Sequence, residues 1–195
     1  MAPGKTPEEA LRGFGEVVAA GRRGPAPVHL WNPPDCGDID MRIAADGTWF
    51  YCGSPIARPS LVRLFSSVLR KDGERYVLVT PIEKVGIRVD DAPFSAVEMR
   101  RDGEDRDQNL AFRTQVDDVV TVDETHPFRF ERGAGDGLKP YLRVRGDLWA
   151  RVTRALSYEL IALGVAERRG EADWFGVWSG GTFFSICRAS EIEGL

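Results

Sequence analysis

Apolar and polar positions alternate along this chain with two different periods, and the switches between them mark its elements. Ile39, Met41 and Ile43 alternate with Asp40 and Arg42, the pattern of a half-buried strand over 39–43. Asp46-Gly47 supplies a two-residue turn, and Trp49, Phe50 and Tyr51 form the returning strand. The period then lengthens. Leu61, Leu64, Phe65, Val68 and Leu69 recur at helical spacing and predict a helix stopped by Asp72-Gly73. Strands over 76–80 and 85–89 follow, joined by a turn over 81–84. Upstream, Thr6, Pro7 and Glu9 form a capping box for a helix with Ala10, Phe14, Val17 and Val18 on its apolar side.

Residues 90–131 read as a meander with strands over 96–100, 109–114, 119–122 and 128–131. The opening pattern then recurs. The strand over 128–131 is followed by the turn signal Asp136-Gly137, a strand over 141–145, and Gly146. Asp147 caps a predicted helix that carries Leu148, Val152, Ala155, Leu156, Leu160 and Leu163. Strands over 174–178 and 182–187 close the pattern through the Gly180-Gly181 turn. The predicted fold class is α+β: two tandem ββαββ repeats with mostly antiparallel sheets, each packed by one helix, and an extra N-terminal helix. The predicted division is residues 1–90 for the N-terminal helix and first repeat, and 91–195 for the meander and second repeat.

The net charge of -4 argues against bulk nucleic-acid binding, which needs a basic surface excess. Three cysteines, Cys36, Cys52 and Cys187, are too few and too irregular for a secreted disulfide framework, and they lack the spacing of a zinc site. They are expected to be reduced and free of metal. No apolar run approaches the roughly 20 residues of a membrane span, and no signal-peptide core opens the chain. The cytoplasm is the expected location, and no cofactor is implied.

Several segments resemble a known family. Trp31-Asn32-Pro33-Pro34-Asp35-Cys36-Gly37, Ile39-Asp40-Met41-Arg42-Ile43, Ser54-Pro55-Ile56-Ala57-Arg58, Thr80-Pro81-Ile82-Glu83-Lys84 and Tyr141-Leu142-Arg143-Val144-Arg145 look like the signature segments of a bacterial domain-of-unknown-function family, number 1285. The resemblance runs from about Trp31 to the end. It implies a duplicated α+β core, a second half superficially like a pleckstrin-homology barrel, and a signalling role with a nucleotide-like ligand between the halves.

The residues themselves offer one main candidate site. Between Lys139 and Arg169 there are seven cations and three acids, inside an acidic chain. Tyr141, Arg143 and Arg145 share one face of their strand. Arg151, Arg154 and Tyr158 fall at i, i+3 and i+7 of the predicted helix. Arginines beside tyrosines suit a phosphate attached to a stackable ring. Glu83 and Lys84 sit in a turn, where binding residues concentrate. Arg58 precedes a helix N-terminus, a place that favours anions. Glu159 falls within the apolar stripe of the second predicted helix, where a carboxylate needs an arginine partner or an outlet to water. His29 and His126 have no partner nearby in sequence.

Asp35, Asp38 and Asp40 form an acidic cluster containing a DxD, although the full calcium-loop spacing is absent. Three readings follow. The first is a non-enzymatic sensor for an anionic nucleotide in a groove where the repeats meet. The second is a metal-dependent hydrolase using the three aspartates. The third is a protein-interaction module.

Overall fold

The alternation over 39–43 is realised as a longer strand, β1 (Asp35–Ile43), which turns at Gly47 into β2 (Trp49–Tyr51). The computed structural model describes residues 25–133 and 137–194. The predicted N-terminal helix and Asp136 lie outside them. Two compact units divide the chain, Met1–Pro93 and Phe94–Leu195.

The first unit continues through β3 (Ser54–Pro55), helix α1 (Pro59–Ser67), β4 (Leu69–Asp72), β5 (Arg75–Val79) and β6 (Lys84–Val89). Its six strands form one sheet in the order β3-β2-β1-β6-β5-β4, with β1 and β6 parallel and the other neighbours antiparallel. Pro59 suits the first turn of α1, where its missing N–H is not needed. The helix stops two residues earlier than its apolar spacing predicts. Ser66 and Ser67 donate their hydroxyls back to the carbonyls of Arg63 and Leu64, and Leu69 pairs with Leu78 as a strand residue. Asp72-Gly73 is therefore a hairpin turn, not a helix stop. Trp49 stacks on Phe65 with ring centroids 6.1 Å apart, and Val68, Leu69, Val77, Leu78 and Val79 complete the core.

The second unit opens with β7 (Phe94–Asp102), β8 (Asn109–Thr114), β9 (Val119–Thr121), β10 (Phe128–Arg132) and β11 (Leu138–Arg145). The main correction to the sequence reading comes next. Leu148–Val152 is not the start of a helix but a strand, β12, and helix α2 spans only Arg154–Ala162. Leu148, Ala150 and Val152 are all buried, a period of two. Residues 148 and 152 are spaced by four, which suits a helix or a strand equally. A further sheet follows: β13 (Val165–Arg169), β14 (Ala172–Ser179) and β15 (Thr182–Arg188). The larger sheet runs β10-β11-β12-β7-β8-β9, and the smaller runs β13-β14-β15. Within the predicted repeats each helix thus has three strands before it, β1–β3 or β10–β12, and three after, one more on each side than predicted, and β7–β9 precede the second repeat. The strands that follow α1 share the sheet of those before it. The strands that follow α2 form a sheet of their own.

The core of the second unit joins its two sheets. Phe128 meets Phe112 and Phe184 edge-on at 5.6 and 5.5 Å. Leu156 and Leu160 bury one side of α2. Glu159 is exposed, outside this buried stripe. Ser179 is fully buried. Its hydroxyl donates to the Val122 carbonyl at 2.7 Å and accepts the Leu110 N–H at 2.9 Å. Gln108 donates to the Trp178 carbonyl beside it at 2.7 Å.

Replacing Ser179 by Ala leaves a buried N–H and a buried carbonyl without this partner. We expect Ser179→Ala to lower the unfolding free energy by about 1–3 kcal/mol in a urea titration. A change below about 0.5 kcal/mol would show that this hydroxyl does not fasten the two sheets.

Candidate functional site

The larger sheet of the second unit has one face turned to the core and one that carries arginine. Phe128, Phe130, Pro140, Leu142 and Ala150 fall in cross-strand register on the core side. The alternate positions form the other face. Arg129, Tyr141 and Arg151 lie in one row across β10, β11 and β12, and Arg143 faces Trp149 in the next. The Arg129 guanidinium lies across two rings, 4.8 Å from the centroid of Tyr141 and 4.7 Å from that of Trp149. Tyr141 is only 2% exposed beneath it. Arg129 also pairs with Glu131 at 3.1 Å. Arg143 donates from Nε to the Gly146 carbonyl at 2.5 Å, and the Trp149 indole N–H donates to Asp147 at 3.2 Å. The face therefore presents held guanidiniums beside a half-exposed indole, a surface suited to an anion that carries a planar ring.

The structure brings Tyr141, Arg143 and Arg151 together, though Arg151 arrives on a strand and not on the predicted helix. Arg145 follows a bulge. It pairs with Asp118 and lies over Phe94, 4.9 Å from the ring centroid. Arg154 and Tyr158 remain a helical i, i+4 pair, with Arg154 Nε and Nη2 donating to the Tyr158 hydroxyl at 3.1 and 3.0 Å. Arg129 and Trp149 were missed by sequence reasoning. The alternation of Phe128 and Phe130 with Arg129 was a usable signal for the face, but the register that sets Arg129 against Tyr141 was not legible.

The predicted residues of the first unit have other surroundings. Arg58 is exposed at the N-cap of α1. Glu83 sits in a turn fastened by Thr80, whose hydroxyl accepts the Glu83 N–H at 3.1 Å. Lys84 lies opposite Asp35 in the parallel pair, with Nζ 3.2 Å from Asp72 and 4.0 Å from Asp35. Two of the segments that carry the family resemblance meet here, and the Lys84 N–H donates to the Pro34 carbonyl.

Asp35 and Asp38 both accept hydrogen bonds from Arg75, and Asp72 accepts two from Arg70. Arg70 also donates to the carbonyls of Val28 and Trp31 at 2.6 and 2.7 Å. The Arg75 side chain crosses the sheet at Gly86, where a Cβ would lie 1.9 Å from Asp38 Oδ1 and 2.5 Å from Arg75 Nη2. Hydrogen bonding from Arg75 holds the Asp35 carboxyl below the usual carboxylate range, and Arg70 does the same for Asp72. Asp40 is exposed and stands apart from these pairs. A metal ion at the aspartates would have to displace Arg75. Among the described residues no group of three or more His, Cys, Asp or Glu is placed to hold a metal ion. Cys36 and Cys52 are exposed and Cys187 is buried, all as free thiols.

These features define a two-unit α+β protein with an ion-paired first unit and an arginine-faced second one. Family models match both parts, described as the "Domain of unknown function (DUF1285), N-terminal domain" over residues 26–92 and the "Protein of unknown function (DUF1285), C-terminal domain" over residues 93–186. The chain belongs to the DUF1285 family. It is similar to the crystal structure of a DUF1285 family protein from Silicibacter pomeroyi DSS-3, with 50% identity and a TM-score of 0.82 over 92% of this chain and 98% of that one. It is also similar to a DUF1285 family protein from Shewanella baltica OS155, with 26% identity and a TM-score of 0.51 over 64% of this chain and 91% of that one. No curated protein matches the chain. No helix among the described residues is long and apolar enough to cross a membrane.

The lowered Asp35 and Asp72 carboxyls give a pH expectation. A carboxyl whose folded pKa is depressed contributes stability above its unfolded pKa and loses it as the pH falls through the folded value. Stability from these pairs is therefore complete above about pH 5 and falls below about pH 4. Arg75→Gln is expected to flatten that acid limb in urea titrations across pH. An unchanged limb would show that Arg75 does not set the Asp35 carboxyl.

Proposed function

We propose that this protein is a non-enzymatic signal-transduction module that binds an anionic, nucleotide-like small molecule. The face of Arg129, Tyr141, Arg143, Trp149 and Arg151 is the binding surface. The observation that carries this reading is the Arg129 guanidinium stacked on both Tyr141 and Trp149, with Arg143 and Arg151 in adjoining cross-strand positions. A guanidinium stacked in this way keeps its N–H edges for phosphate, and Trp149 offers an aromatic surface for a base. The likeness to pleckstrin-homology barrels that the family implies fits a scaffold for binding, an argument from fold analogy alone.

The test is a thermal-shift screen of nucleoside phosphates and cyclic nucleotides on the full chain, with and without divalent metal. A ligand that binds only the native state raises the melting temperature. We expect a shift without metal. Charge-assisted contacts contribute about 1.5–3 kcal/mol each, so Arg143→Ala or Arg151→Ala should weaken binding roughly 10- to 100-fold. The unliganded melting temperature should stay close to that of the parent. A shift that requires metal and is accompanied by turnover favours the hydrolase reading. Silence across the screen favours a protein-interaction module. A steep fall in the unliganded melting temperature would make the arginines structural and remove the main support.

A further inference from the structure

The small sheet of the second unit carries a separate arginine–aromatic surface, on elements that the proposed site does not use. On β14, Phe175, Val177 and Ser179 are buried. The alternate positions Trp174, Gly176 and Trp178 lie on the other face, with Arg188 opposite Trp174 and Phe183 opposite Trp178 on β15. A Cβ at Gly176 would lie 2.7 Å from the Phe183 ring, so the absence of a side chain there lets that ring lie over the strand. Three guanidiniums cover the aromatic groups. Arg188 is 4.4 Å from the Trp174 centroid. Arg169 is 4.8 Å from that of Phe183 and 5.9 Å from that of Trp178, and Arg106 is 5.3 Å from that of Trp178.

The charge here is unbalanced. Glu167 pairs with Arg106 at 2.5 Å. Among the described residues, no carboxylate pairs with Arg169 or Arg188. Both are exposed. The neighbouring Arg168 does have its acid, Asp173, at 3.2 Å. Among the described residues, these two aromatic-held guanidiniums thus face solvent without a carboxylate partner, within a chain whose net charge is -4.

We propose that this face docks an acidic peptide segment, whose carboxylates take the N–H edges of Arg169 and Arg188. Charge complementarity selects an anionic partner. Guanidiniums lie over the indole and phenyl rings of this face. What remains outward is a set of planar, oriented donors, which carboxylates match in a bidentate fashion.

The test uses the full chain and a fluorescein-labelled peptide of alternating glutamate and serine, read by fluorescence anisotropy. Oligothymidylate of equal charge is run in parallel. We expect the peptide to bind more tightly than the oligonucleotide. Arg169→Gln and Arg188→Gln should each weaken it by about tenfold or more, while Arg168→Gln leaves it unchanged. The glutamine variants keep a polar side chain at an exposed position, and their melting temperatures check that they fold. Absence of peptide binding overturns the proposal. So does equal weakening by Arg168→Gln, which would show a diffuse charge effect, or tighter binding of the oligonucleotide lost through the same two arginines.

Discussion

Each unit depends on one parallel strand pair that joins segments far apart in sequence. Parallel neighbours cannot be linked by a tight hairpin. β1 therefore meets β6 only across all the intervening elements, and β7 meets β12 in the same way. Closing so long a loop has an entropic cost that the joint must offset. In the second unit the joint is apolar: Ala150 and Val152 lie opposite Phe94 and Ala96, all of them buried. In the first unit it carries a polar clamp. Asp35 and Asp38 on β1 are gripped by Arg75 on β5, whose side chain passes over Gly86 of β6, and Lys84 of β6 lies between Asp35 and Asp72. The candidate site depends on the second joint. β12, which sets Trp149 and Arg151 beside β11, is paired along its other edge to β7.

Much of the strand order was legible because turn chemistry is local. Asp46-Gly47 and Gly180-Gly181 mark hairpins, and the glycines at 47, 180 and 181 adopt the positive φ that those turns require. The helix boundaries were less legible. Leu69 and Leu148 sit at spacings that suit a helix as well as a strand, and tertiary pairing decided against the helix in both cases. β13 gave no signal because Val165, Ala166, Arg168 and Arg169 are all exposed, so no apolar alternation marks it. The sequence reading joined Arg151 to Tyr141 and Arg143 through the wrong element. Arg129 and Trp149 were missed because strand register is set by partners distant in sequence. The same limit hid the Arg75 clamp: the aspartates were legible as a cluster, but the cation that holds them was not.

Arginine has two distinct roles in this chain. In one it closes the structure through carboxylates: Arg75 with Asp35 and Asp38, Arg70 with Asp72, Arg113 with Glu98, and Arg145 with Asp118. Such pairs leave little donor capacity for a ligand. In the other it lies on an aromatic ring, as Arg169 and Arg188 do, and Arg129 combines the two, stacked on Tyr141 and Trp149 while its Nε pairs with Glu131. Stacking satisfies the flat face of the guanidinium and leaves the N–H edge outward. It also limits the conformations of a long side chain before any ligand arrives, which reduces the ordering cost of binding.

Any anion that an acidic chain binds at a basic face has to be recognised at short range. Nine acids lie between Asp102 and Glu131, and at a distance they would repel a phosphate or a carboxylate. At physiological ionic strength, however, exposed charges are screened beyond about 8 Å. An anion within that distance of Arg143 or Arg188 responds to the local guanidiniums more than to the total charge. The ring beneath a stacked arginine also excludes water from one side, which lowers the local dielectric and strengthens the bond at the open edge. Both effects act only at contact. Selectivity on such a surface would therefore follow from the geometry of stacked donors and not from long-range attraction, which is why a net charge of -4 is compatible with the two anion-facing surfaces proposed above.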